Sequence, residues 1–119
     1  MVTTVRLSLA EYDAMLAGGI LDQPRHQHIE LIYREMRQMS PPGPMHEEIV
    51  DYLTRWSCDH TNADEVRVRV QNSIGIPELD SAPMPDVAWV LEQPYRTGRP
   101  QPSDVILVIE VADSSLEID

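Results

Sequence analysis

Two carboxylates stand out by where they fall. Asp86 opens the apolar stretch Val87-Ala88-Trp89-Val90-Leu91, and Glu110 lies near the end of a nearly continuous apolar, β-branched run from Val105 to Val111. A carboxylate in such a run is costly to bury unless it is paired, hydrogen-bonded or metal-bound. Strand parity puts Glu110 on the face of Ile106, Val108 and Ala112. If the two strands are neighbours, Asp86 and Glu110 converge on one spot and suit Mg²⁺ or Mn²⁺, which take oxygen ligands. The alternative from spacing alone is that Asp86 caps a loop and Glu110 faces solvent at a strand end. Glu30, between Ile29 and Leu31, is a third acid, with a solvated strand position as its plainer reading. His46 heads a helix, where a surface histidine is the common case. Gln71 shares a polar strand face with Arg67 and Arg69, a face that could meet phosphates or simply be wet. Cys58 is the single cysteine; it has no evident activating partner, and no Cys–His zinc pattern surrounds it.

The elements that must position these residues follow from periodicity. Ser8 and Glu11 form a capping box that opens a short helix to Leu16, with Leu9, Tyr12, Met15 and Leu16 on one face and Gly18-Gly19 as its stop. Residues His28 to Met39 are strand material with a turn near Tyr33-Arg34-Glu35. Ser40-Pro41-Pro42-Gly43-Pro44 is a loop. Ile49, Val50, Leu53 and Trp56 then recur at helical spacing between His46 and Cys58, with Pro44 ahead of the helix. Val66, Val68 and Val70 alternate with Arg67, Arg69 and Gln71 in the clearest strand. Val87 to Leu91 is a short apolar strand, and Val105 to Val111 reads as a strand buried on both faces. Asp113-Ser114-Ser115 reads as a turn or helix cap. Helix, hairpin, helix and three strands predict an α+β domain around a central mixed sheet.

Composition bounds the rest. The 119 residues, 42% of them hydrophobic, make a single domain with a genuine core, filled without any phenylalanine. No apolar run reaches the length of a membrane span. The opening Met-Val-Thr-Thr-Val-Arg has no apolar signal core, which reads as a cytoplasmic protein. Nine positive residues, all arginine, face twenty acids, for a net charge of −11. That balance argues against a surface that binds nucleic acid unaided, but leaves room for a carboxylate site that meets phosphate through a divalent metal. With no lysine, any mechanism that needs one from within these residues is excluded.

Five segments in order carry a resemblance. Glu30-Leu31-Ile32 with Glu35, Met39-Ser40-Pro41-Pro42-Gly43-Pro44-Met45-His46, Val68-Arg69-Val70-Gln71-Asn72, Ser81-Ala82-Pro83-Met84-Pro85-Asp86-Val87-Ala88 and Val108-Ile109-Glu110-Val111-Ala112-Asp113-Ser114-Ser115 together resemble the Uma2 family. This is a large bacterial group of endonuclease-like proteins, abundant in cyanobacteria. The resemblance spans Leu7 to Asp119.

The resemblance implies a restriction-endonuclease-like fold of the PD-(D/E)XK class, a mixed sheet flanked by helices, acting on DNA. It makes Asp86 and Glu110 the Mg²⁺ (or Mn²⁺) ligands and catalytic acids and Glu30 an auxiliary catalytic acid; Gln71 and His46 are the candidate substrate-binding residues beside them. Two departures accompany it. The general class has a lysine two positions after the second acid, where this chain has Ala112; the Uma2 family places its lysine on a helix after the Ser-Ser turn, and this chain ends at Asp119. It therefore reads as a C-terminally shortened domain. Tyr33-Arg34 also stands where the family usually has Asp-Gly. A shortened domain would leave Val105 to Val111 with fewer covering elements, so low stability, a partner or a homodimer is expected. Two rival readings remain at this stage: an inactive remnant serving as an interaction module, favoured by the missing lysine and the −11 charge, and an unrelated small α+β binding protein.

Overall fold

A computed structural model describes residues 1–22 and 28–112. The Asp113-Ser114-Ser115 turn lies outside the described residues. The element order is α1 (Leu9–Ala17), β1 (Ile29–Ile32), β2 (Glu35–Gln38), α2 (Pro44–Asp59), β3 (Val66–Val70), β4 (Val87–Leu91) and β5 (Val105–Ile109), with short 3₁₀ turns at Pro77–Leu79 and Pro102–Asp104. The class is α+β, consistent with a nuclease-like core. Every strand pair among the described residues is antiparallel: a β1-β2 hairpin and a β3-β4-β5 meander. The expected mixed sheet thus takes the form, among the described residues, of two antiparallel sheets, with a bridge from β1 to the segment that leads into β4. Leu31 and Ala82 exchange both backbone hydrogen bonds, at 3.4 and 2.7 Å, and both are fully buried. Among the described residues no helix is long and apolar enough to cross a membrane.

Local chemistry explains most boundaries. The Ser8 hydroxyl accepts from the Glu11 N–H while the Glu11 carboxylate accepts from the Ser8 N–H, completing the capping box that starts α1. Tyr12 is the buried residue of that helix and packs with Leu31 and Ala82. Arg99 ties the same helix to the proline-rich loop before β5, through a 2.7 Å ion pair with Asp13 and a hydrogen bond to Ser73. Pro44 is the first residue of α2, behind Gly43 as N-cap, a position where a missing N–H costs nothing. Of the predicted apolar face of α2, Val50 is buried, while Ile49 and Trp56 remain partly open and Ser57 is fully buried instead. Trp56 reaches the sheet by stacking on Trp89, with centroids 6.2 Å apart.

Two expectations about strands are corrected. β5 is five residues long, and Ile106, Leu107 and Val108 keep 40–51% of their surface exposed. Its apolar run predicted burial on both faces; among the described residues it is instead the outer strand of the meander, so its β-branched content reflects strand propensity more than burial. The polar face of β3 is also not a single wet surface. Arg67 and Arg69 both lie over the Tyr95 ring, 5.7 and 5.4 Å from its centroid, and Arg67 makes a two-pronged pair with Glu92. Loss of water around Arg69 pushes its pKa down.

The hairpin turn is the two residues Tyr33 and Arg34, with φ of +47° and +70°. That is the conformation of a type I′ turn, which normally selects Asn-Gly because side chains crowd the left-handed region. Here contacts from elsewhere hold it: Tyr33 N–H donates to Ser81 Oγ at 2.8 Å and Arg34 N–H to the Asp80 carbonyl at 3.1 Å. Replacing Tyr33-Arg34 with Asn-Gly relieves the strain and keeps those backbone donors. The variant is expected to gain about 1 kcal/mol of stability in urea unfolding; an unchanged or lower midpoint would show that the turn is not strained.

Candidate metal and phosphodiester site

The β4-β5 register brings the two acids together. Val87 pairs with Ile109 in antiparallel fashion. Asp86 immediately precedes Val87 and Glu110 immediately follows Ile109, so the two residues emerge side by side at the same end of the meander. The condition set by the sequence, that their strands be neighbours, is met.

Asp86 is held from two sides. Its Oδ2 accepts the Val111 N–H at 2.8 Å, and its Oδ1 accepts Nε2–H of His46 at 3.1 Å. An ionised carboxylate can only accept, so this contact fixes the proton on Nε2. Both side chains are largely buried, 14% exposed for Asp86 and 19% for His46. His46 comes from the first turn of α2, so this one contact docks the helix start onto the sheet end. Glu30, on β1, accepts the Met84 N–H at 3.0 Å and so stands beside the segment leading into Asp86. Gln71 follows β3 with φ of +52°, and its N–H donates to the Asp86 carbonyl at 3.1 Å.

Glu30, His46, Gln71, Asp86 and Glu110 all line one cavity of about 670 Å³. Strand parity grouped Gln71 with Arg67 and Arg69; the left-handed backbone at Gln71 ends that alternation, and neither arginine reaches the cavity. His28 also lines the cavity and carries no sequence signal. Nor did sequence show the Val111 and Met84 N–H groups that orient Asp86 and Glu30, because a backbone donor has no residue identity.

The electrostatics of the cavity are one-sided. Among the described residues its wall holds three acids and two histidines but no arginine. The Glu110 carboxyl loses water on the cavity wall and faces the charge of Asp86 and, more weakly, Glu30; its pKa is pushed up to about 7. Like-charged carboxylates at one spot resist joint ionisation.

The Uma2 family model, described as “Putative restriction endonuclease”, matches residues 9–119. This chain belongs to the Uma2 family. No curated protein and no solved structure matches it. Family and geometry meet in the same residues, since the Pro-Asp and Glu-Val segments of the Uma2 resemblance supply the two facing acids.

Because the folded state raises the Glu110 pKa, it binds a proton that the unfolded chain has released. Its contribution to stability is therefore fully present below the ordinary carboxylate value of 4.5 and is lost as pH rises to about 7. In metal-free protein, the Glu110 carboxyl carbon should titrate near pH 7 by NMR, and Asp86→Asn should lower that midpoint. Glu110→Gln should be more stable than the parent at pH 8 and close to it at pH 4. A Glu110 midpoint in the ordinary carboxylate range would contradict this electrostatic description.

Proposed function

We propose that this chain is a Mg²⁺- or Mn²⁺-dependent endonuclease domain that hydrolyses DNA phosphodiester bonds, with Asp86 and Glu110 as metal ligands. The observation that supports it best is the convergence of these two carboxylates at adjacent strand ends, in a cavity with no arginine among the described residues of its wall. Among the described residues no three His, Cys, Asp or Glu side chains gather closely enough to enclose a metal. Mg²⁺ does not need such a cage: it keeps several waters and is commonly held by one or two carboxylates together with substrate phosphate oxygens. The donor set therefore fits. When bound, the cation lowers the pKa of a water and neutralises charge on the scissile phosphate.

The chain's own groups take distinct parts in this reading. Asp86 and Glu110 supply the ligand oxygens, and Glu110 gives up its proton to do so. Glu30 adds negative potential from β1. His46 keeps the Asp86 carboxylate in one orientation rather than reaching substrate, since its Nε2–H is already committed to Oδ1. Gln71 faces the cavity and is available to substrate.

The absence of arginine from the described part of the wall favours one second reading, a metal-binding interaction module without turnover. Cleavage of supercoiled and linear DNA with Mg²⁺ or Mn²⁺ separates the two. Metal-dependent cleavage is expected, abolished by Asp86→Ala or Glu110→Ala. Loss of the His46 contact should lower it by about 10–100-fold in His46→Ala, the usual cost of removing a partner that orients a metal-bound carboxylate. Metal binding without cleavage would favour the module; cleavage that survives Asp86→Ala would remove the proposed site.

A further inference from the structure

A second cleft, of about 420 Å³, adjoins the acid cavity, and the two share Gln71, His28 and Pro42 in their walls. It lies between the first turns of α2 and the end of β3, and it adds Glu47, Val50, Asp51 and Val70. The residues at the junction are unusual in backbone as well as place. Gln71 and His28 both have positive φ, +52° and +59°, without being glycine. Left-handed backbone at non-glycine residues concentrates where a side chain must be aimed for use. Gln71 lines both cavities, and among the described residues no hydrogen bond from a neighbouring side chain occupies its amide.

Charge narrows what such a cleft can hold. Among the described residues the two walls together carry Glu30, Glu47, Asp51, Asp86 and Glu110 and no arginine, in a chain with no lysine. Among these acids a phosphate is favoured only beside a cation held by Asp86 and Glu110. A neutral group with apolar faces and hydrogen-bond donors on its edge meets no such penalty. Val50, Val70 and Pro42 offer apolar contact, Asp51 and Glu47 offer acceptors, and Gln71 offers both a donor and an acceptor.

We propose that this cleft is a nucleobase subsite: it receives the base of a nucleotide next to the scissile phosphate, unstacked from its neighbours. The ligand class rests on the endonuclease reading. Carboxylate acceptors favour bases with an exocyclic amine, such as cytosine, adenine and guanine, over thymine. The subsite explains how an acidic chain engages DNA: it grips an uncharged base and leaves the phosphate to the metal. A base must be splayed to enter, so single strands or frayed ends are the preferred substrates.

Free nucleosides test this without metal or cleavage. Amide spectra of the isotopically labelled chain are recorded during titration with deoxycytidine, deoxyadenosine, thymidine and inorganic phosphate. Saturable shifts at Gln71, Val50 and Val70 are expected with deoxycytidine and deoxyadenosine. Binding of thymidine should be at least about tenfold weaker, and phosphate should leave these amides unmoved. Gln71→Asn shortens the amide while tolerating left-handed backbone, and should weaken deoxycytidine binding. Asp51→Asn lies on an exposed helix face and should erase the discrimination against thymidine without disturbing the fold. No saturable shift with any nucleoside, or equal shifts with phosphate, would overturn the subsite. The metal reading is scored apart from this, because a failed metal site leaves the nucleoside response intact.

Discussion

The site depends on one register. Val87 opposes Ile109 across two antiparallel strands, and that pairing alone delivers Asp86 and Glu110 to the same place. A slip of one residue would turn every side chain of β5 to the opposite face and carry Glu110 away from its partner. The register is held by what surrounds it. Val87, Ala88 and Val90 are buried, the bulge after Trp89 absorbs the extra residue of β5, and the Val111 N–H closes onto Asp86 just past the last ladder pair. Fold and chemistry are therefore coupled, since the hydrogen bond that orients the carboxylate also extends the strand pairing that brings it there.

Holding two acids together has an electrostatic cost, and among the described residues no arginine offsets it. Five of the nine arginines form ion pairs at other places: Arg6, Arg34, Arg37, Arg67 and Arg99. None faces the cavity. The result is a raised Glu110 pKa and a pocket of negative potential that favours a cation over an anion. Among the described residues histidine is the one basic type on the wall, and His46 spends its Nε2–H on Asp86. A fold optimised only for stability would gain by placing an arginine there. Its absence among the described residues accords with the proposed divalent-ion site.

Much of this was readable from residues. Ser8 and Glu11 mark a helix start because capping is local chemistry. Val66 to Val70 and Val87 to Leu91 mark strands because alternation and β-branched runs need no tertiary information. The acids could be named, and their convergence stated as a condition, because an ionisable group in an apolar strand is conspicuous. The parts that stayed hidden are non-local. The left-handed turn at Tyr33-Arg34 is imposed by Ser81 and Asp80, almost fifty residues away, so no turn residue announces it. Gln71 leaves the face of Arg67 and Arg69 because its N–H is bound to the Asp86 carbonyl. The exposure of β5 follows from its outer place in the meander, which a run of valines and isoleucines does not reveal. His46 looked like a surface group because its partner lies forty positions later.

The central claim is that Asp86 and Glu110 form one divalent-cation site. Calorimetric titration of Mn²⁺ into the folded parent and into Asp86→Ala/Glu110→Ala, at pH 7 where Glu110 is partly protonated, tests it most directly. The account predicts one site in the parent, with proton release on binding because Glu110 still holds part of its proton, and none in the double variant. Equal binding by both proteins, or no binding by a folded parent, would contradict it.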